Sequence, residues 1–185
     1  MYRIIYFLLL TNFLVGCGDE QPELDGYSIP PLVTAAENGD IKTLKQLLAE
    51  QSQVDVQDSC KWTPLMKAAL NGHTEIVRQL LSTKARVDLS DQGGYTALLL
   101  AASNNHAAIV ELLILNGAKI NHQEKTQGWT ALIWSAKRGH LDTVKLLLAY
   151  NADRAIRDYK GISALDWAVK SGHGEIAGLL QAEAK

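Results

Sequence analysis

The stretch TPLMKAALNGH, residues 63–73, recurs in altered form three more times along the chain, at Thr96 to His106, Thr130 to His140 and Ser163 to His173. The dipeptides that close it, with Gly39-Asp40 in a first and looser copy, lie 33, 33, 34 and 33 residues apart: Gly39-Asp40, Gly72-His73, Asn105-His106, Gly139-His140 and Gly172-His173. A second marker keeps the same step at Pro30, Thr63, Thr96, Thr130 and Ser163. Each Thr or Ser precedes an apolar helical pattern, where its hydroxyl can accept from an orphan backbone N–H of the first turn. Pro64 follows at the first helical position, where its missing N–H costs nothing. The pairs Ala35-Ala36, Ala68-Ala69 and Ala101-Ala102 are small enough to let neighbouring units approach closely.

Past each closing dipeptide, apolar pairs recur at helical spacing: Ile76-Val77 with Leu80-Leu81, Ile109-Val110 with Leu113-Ile114, and Val144 with Leu147-Leu148. One such helix pair cannot bury its own apolar face, so a period of this length implies a stacked array. Residues 63–73 and their copies resemble the ankyrin repeat, and the resemblance extends over about 30–185. It implies an all-α solenoid of five helix-turn-helix repeats joined by hairpin loops. The repeats run over about 30–62, 63–95, 96–129, 130–162 and 163–185. The loops include Asp55 to Lys61 and Asp88 to Gly94, and Asn121 to Gly128 is one residue longer, which accounts for the 34-residue step. Pro30-Pro31 marks an N-terminal capping repeat, and Gln181, where other copies have Leu48, Leu81, Ile114 and Leu148, gives the final helix a polar face. The resemblance also implies a left-handed residue after each second helix, at Gln51, Lys84, Gly117 and Asn151.

The leading segment has a different character. From Ile4 to Gly16 it is a 13-residue greasy run, short of the ~20 residues of a membrane-spanning helix. With Arg3 before it and Gly16 at its end, it reads as a secretory signal over residues 1–16. Leu14-Val15-Gly16-Cys17 resembles a bacterial lipobox, which implies cleavage before Cys17 and a lipid on its thiol. Residues 17–29 then form a polar tether reaching about 40 Å when fully extended. Gly18 after the cysteine, by resemblance to lipoproteins of diderm bacteria, places the array in the periplasm on the outer membrane's inner leaflet. Cleavage leaves 17 basic and 20 acidic residues, net −3, which argues against nucleic acid as a partner. The second of the two cysteines is Cys60, so a lipid on Cys17 leaves no disulfide framework.

Candidate chemistry is sparse. Equivalent histidines in stacked helices lie about 8–10 Å apart, too far to share one metal, so they read as architectural; His122 is expected to be solvated. No histidine stands near Cys60 to activate it, and no nucleophile elbow, HExxH or phosphate-cradling loop occurs. We expect a non-enzymatic protein with no cofactor, monomeric when unbound. Trp134 and Trp167 read as core. Trp62, Tyr95, Trp129 and Ile162 each precede a capping residue, and the resemblance places that position on the concave face, where an exposed aromatic ladder would serve a protein partner. Leu70, Asn71, Lys137, Arg138 and Lys170, at the ends of first helices, share that face by resemblance and make it basic toward the C-terminal end. The expected function is a lipid-anchored envelope module that binds a protein. Its concrete form is an immunity protein blocking an antibacterial effector such as a phospholipase, with a scaffold or chaperone for a periplasmic enzyme as the alternative.

Overall fold

The computed structural model describes residues 29–50 and 53–182, and the signal, lipobox and tether readings lie outside them, as does Gln51. Its helices come in five pairs. They are α1 (Pro31–Glu37) with α2 (Ile41–Glu50), α3 (Pro64–Leu70) with α4 (Thr74–Ser82), and α5 (Ala97–Ser103) with α6 (Ala107–Leu115). Then come α7 (Ala131–Arg138) with α8 (Leu141–Ala149), and α9 (Ala164–Lys170) with α10 (Gly174–Gln181). Two isolated antiparallel bridges, Ser90 to Thr96 and Arg157 to Ser163, pin hairpins between pairs. No helix among the described residues is long and apolar enough to cross a membrane.

Local chemistry sets where each first helix begins. The hydroxyls of Thr63, Thr96, Thr130 and Ser163 accept from the backbone N–H three residues on. Ser163 closes a full capping box with Asp166. The first helices stack on one another in sequence, and more closely than the second helices do. The alanine pairs are the reason: Ala36, Ala68, Ala69, Ala101, Ala102 and Ala136 are fully buried. In the second layer Ile76, Val77, Leu80, Ile109, Val110, Leu113, Val144 and Leu147 are buried against the first. Gln181 is exposed, as a polar end face requires.

The histidines join repeats. Carbonyls one repeat back accept from their Nε2: Glu37 from His73 at 2.9 Å, Leu70 from His106 at 3.1 Å, Ser103 from His140 at 3.1 Å and Lys137 from His173 at 3.2 Å. Each bond satisfies an orphan carbonyl at a first-helix C-terminus. None of these side chains caps its own helix, whereas Asp40, at the equivalent position, does accept from Thr43 N–H at 3.0 Å. The imidazole needs room, and Gly72 shows why: it has φ +78°, and a Cβ there would lie 2.7 Å from the His106 ring. Asn105 stands in for glycine in the third repeat, with φ 61°, and its Oδ1 accepts from Thr143 Oγ1 at 2.9 Å.

The ends of the second helices adopt the expected left-handed conformation, with φ 64° at Lys84, 88° at Gly117 and 60° at Asn151. A lysine there is disfavoured by roughly 1 kcal/mol, because its Cβ crowds the following carbonyl. Lys84 is exposed, so glycine costs no packing. Lys84→Gly should therefore raise the urea midpoint of unfolding, and a lower midpoint would contradict the assigned helix end.

Candidate functional site

The hairpins are built around a buried or half-buried carboxylate that gathers backbone N–H groups of its own turn. Asp58 Oδ1 accepts from Cys60 N–H at 2.9 Å and Trp62 N–H at 2.8 Å. Asp158 Oδ1 does the same for Lys160 and Ile162, both at 2.9 Å, and Asp91 accepts from Tyr95 at 2.8 Å. The longer third hairpin uses Glu124 instead. Its carboxylate accepts from Thr126, from Gln127 at 2.8 Å and from Trp129 at 3.0 Å, and the residue is fully buried. One extra methylene in the side chain matches one extra residue in the loop. These carboxylates fix Trp62, Tyr95, Trp129 and Ile162 just ahead of the helix caps.

The fixed positions do not form an exposed ladder. Trp62, Tyr95 and Ile162 are half-buried, and Trp129 is only 8% exposed. Trp129 is covered because the following repeats supply two indole rings and a carboxylate. Its ring meets Trp134 edge-on at 4.5 Å and Trp167 at 5.7 Å, and its Nε1 donates to Asp158 Oδ2 at 3.0 Å. Trp167 Nε1 donates to the same oxygen at 2.9 Å. The expectation of a free concave-face tryptophan is corrected at this position: Trp129 is packed between repeats. Trp134 is buried as expected, and its Nε1 has no hydrogen-bond partner. It is the one such buried side-chain polar atom among the described residues.

Cations cover this cluster. Lys137 Nζ lies 4.1 Å from the Trp129 ring and 4.6 Å from that of Trp167. Arg138 lies 4.8 Å over Trp134 and donates to the Ser103 carbonyl at 3.1 Å, and Lys170 lies 5.0 Å over Trp167. Burial pushes the Lys137 ammonium below its ordinary value, and the charges of Arg138, Lys160 and Lys170 push the same way. Burial likewise lowers Arg138. Asp158 feels burial most, which raises it, but donation from Ile162, Trp167, Trp129 and Lys160 brings it below the ordinary carboxylate value.

The structure thus gathers Trp129, Lys137, Arg138 and Lys170 and sets the other candidate residues apart. Trp62 lies under Lys67 at 4.9 Å, and Lys67 pairs with Glu37 at 2.9 Å. Half-buried Leu70 and exposed Asn71 are nearby in sequence, and Asn71 donates to the Glu37 carbonyl at 3.2 Å. Tyr95 shares a hydrogen bond with Thr126 at 3.2 Å between hydroxyls. Sequence reading missed Asp158, Lys160 and Lys67. The signal was an acidic residue at a constant four places, or five in the longer loop, before each hairpin's last residue.

Two smaller expectations change. His122 is half-buried with its Nε2 on the Gly94 carbonyl at 2.9 Å, not solvated, because its loop folds onto the preceding hairpin. Cys60 is 9% exposed and disulfide-bonded, so the reading that left the chain without a disulfide does not hold at this residue. No group of three or more His, Cys, Asp or Glu placed to hold a metal occurs among the described residues.

The stacked helix pairs, His-to-carbonyl bonds between repeats and hairpin carboxylates of the described residues agree with a direct comparison. The family model described as ankyrin repeats (3 copies) matches residues 32–124 and 109–185. The chain belongs to the ankyrin-repeat family. Ankyrin repeats are protein–protein interaction modules, and this array is one. No curated protein matches the chain.

In the ankyrin array the tryptophan cluster carries stability. Trp129→Ala should lose roughly 3 kcal/mol, as a large core truncation does, read as a melting temperature several degrees lower. Asp158→Asn would turn one acceptor into a donor and should cost about 2 kcal/mol. Because the folded-state pKa of Asp158 is depressed, its contribution is complete above the unfolded value of about 4 and is lost as pH falls through the folded value. The stability gap between wild type and Asp158→Asn should therefore close in acid. A gap unchanged from neutral pH to well below pH 4, within the range where the fold persists, would contradict the clasp.

Proposed function

We propose that the array is a lipid-anchored binding module that captures a protein of the bacterial cell envelope on the face made by its hairpins and first-helix ends. The single observation that supports this face is the unequal dress of the two layers. The hairpin side collects rings, cations and amide groups at adjacent repeats, including Trp62, Lys67, Asn71, Lys137, Arg138 and Lys170. Such aromatic and cationic groups are favoured at interfaces. In its most concrete form the module is an immunity protein, holding an inhibitor where an antibacterial effector arrives. Anchoring rests on the sequence Leu14-Val15-Gly16-Cys17 and the tether of residues 17–29.

Photo-crosslinking in living cells tests the face. A crosslinking amino acid at Asn71, Lys160 or Lys170 should capture one and the same protein, while one at Arg78 on α4 should capture none. Equal capture from Arg78 would contradict the assignment. Anchoring has its own readout, the intact mass of the mature protein. It should show acyl chains that Cys17→Ser removes, together with loss from the washed membrane fraction. An unacylated mature wild type would overturn the anchor.

A further inference from the structure

Two tryptophan–lysine contacts in this array differ in one respect. Lys67 lies over Trp62 and is neutralised by Glu37 at 2.9 Å. Lys137 lies over Trp129 and Trp167 with Arg138, Lys160 and Lys170 close enough to repel it, and none of the four makes an ion pair among the described residues. The carboxylate close to Lys137 is Asp158, whose charge offsets part of that repulsion but whose acceptor positions are taken. A carboxylate has about four acceptor positions, and two backbone N–H groups and two indole N–H groups already occupy those of Asp158. Trp134, under Arg138, adds an N–H with no acceptor. Four cations and an orphan donor thus stand around one carboxylate that ion-pairs with none of them, unlike the Lys67–Glu37 contact at the other end of the array. A chain of net charge −2 has acidic residues to spare, yet none among the described residues ion-pairs with this cluster.

We propose that the missing carboxylates belong to the partner, and that the Lys137, Arg138, Lys160 and Lys170 cluster receives an acidic extended segment of that protein. This rests on the binding-module reading and names the chemistry of its partner. Adjacent repeats stand about 10 Å apart, and alternate residues of an extended strand advance about 6.6 Å, so two or three Asp or Glu residues on one side of a strand span the cluster. An anionic bilayer fits less well. Tryptophans that serve a membrane turn their rings outward to the headgroups, whereas Trp129 and Trp167 have their N–H groups on Asp158 and cations over their faces.

The test is fluorescence anisotropy of labelled hexaglutamate against the purified chain, with hexaglutamine and phosphatidylglycerol vesicles as the other probes. Lys160 and Lys170 are exposed, so the double variant Lys160→Glu with Lys170→Glu keeps the fold, which thermal melting verifies. Hexaglutamate should bind, weaken with added salt, and lose about tenfold in affinity in the double variant, as rim charge pairs are removed and reversed. Lys119→Glu, a charge change at another hairpin, should leave affinity unchanged. Equal losses in Lys119→Glu, no binding of hexaglutamate, or vesicle binding that alone depends on Lys160 and Lys170 would each overturn the acidic-segment proposal. If hexaglutamate fails while Asn71 and Lys170 still crosslink one protein in cells, the partner's chemistry is wrong and the binding module stands. If crosslinking fails as well, the module reading falls with it.

Discussion

Everything in this array depends on the bond that an imidazole makes to a carbonyl one repeat back. A helix pair of this size leaves carbonyls unsatisfied at the end of its first helix and apolar side chains open along both flanks. The next repeat covers both at once. His106 fills the notch beside Gly72 and takes up the Leu70 carbonyl, while Ala68, Ala69, Ala101 and Ala102 allow the first helices to close together. A buried carbonyl without a partner costs about 1–3 kcal/mol, so register between repeats is set by hydrogen bonds as well as by packing. With the register set, each hairpin arrives over its neighbour at a constant height.

That constant height turns local loop chemistry into a surface. A carboxylate folds each hairpin on itself, and the residue ahead of the helix cap is delivered to the same side every time. What happens there depends on the next repeat. Trp62 meets Lys67 and stays half-buried. Trp129 meets Trp134, Trp167 and the Asp158 carboxylate, and becomes core. Lys137 and Lys170, above the Trp129 and Trp167 rings, are then held by the fold without an ion pair among the described residues.

Much of this was legible in the sequence. The 33-residue step, the capping hydroxyls, the alanine pairs and the left-handed Lys84 follow from rules that act within one repeat, and the structure agrees with each. Trp129 was misread because its burial is decided by Trp167 and Asp158, which lie 38 and 29 residues away in the two repeats that follow. Position within a repeat tells which side a ring faces; it does not tell what stands opposite. The carboxylate clasp could have been found, since Glu124 replaces Asp where the loop gains a residue, and only the shared length of side chain and loop explains that exchange.

Trp129 and Trp167 serve the fold, and the proposed binding falls to the cations above them. Indole hydrogen exchange, followed by NMR in the free protein, addresses that division most directly. The Trp129 and Trp167 N–H signals should persist in heavy water at neutral pH, held by one Asp158 oxygen between them, while the half-buried Trp62 signal decays early. Trp129 and Trp167 exchanging as fast as Trp62 would show that the cluster is open to solvent and that the rings themselves are the binding surface.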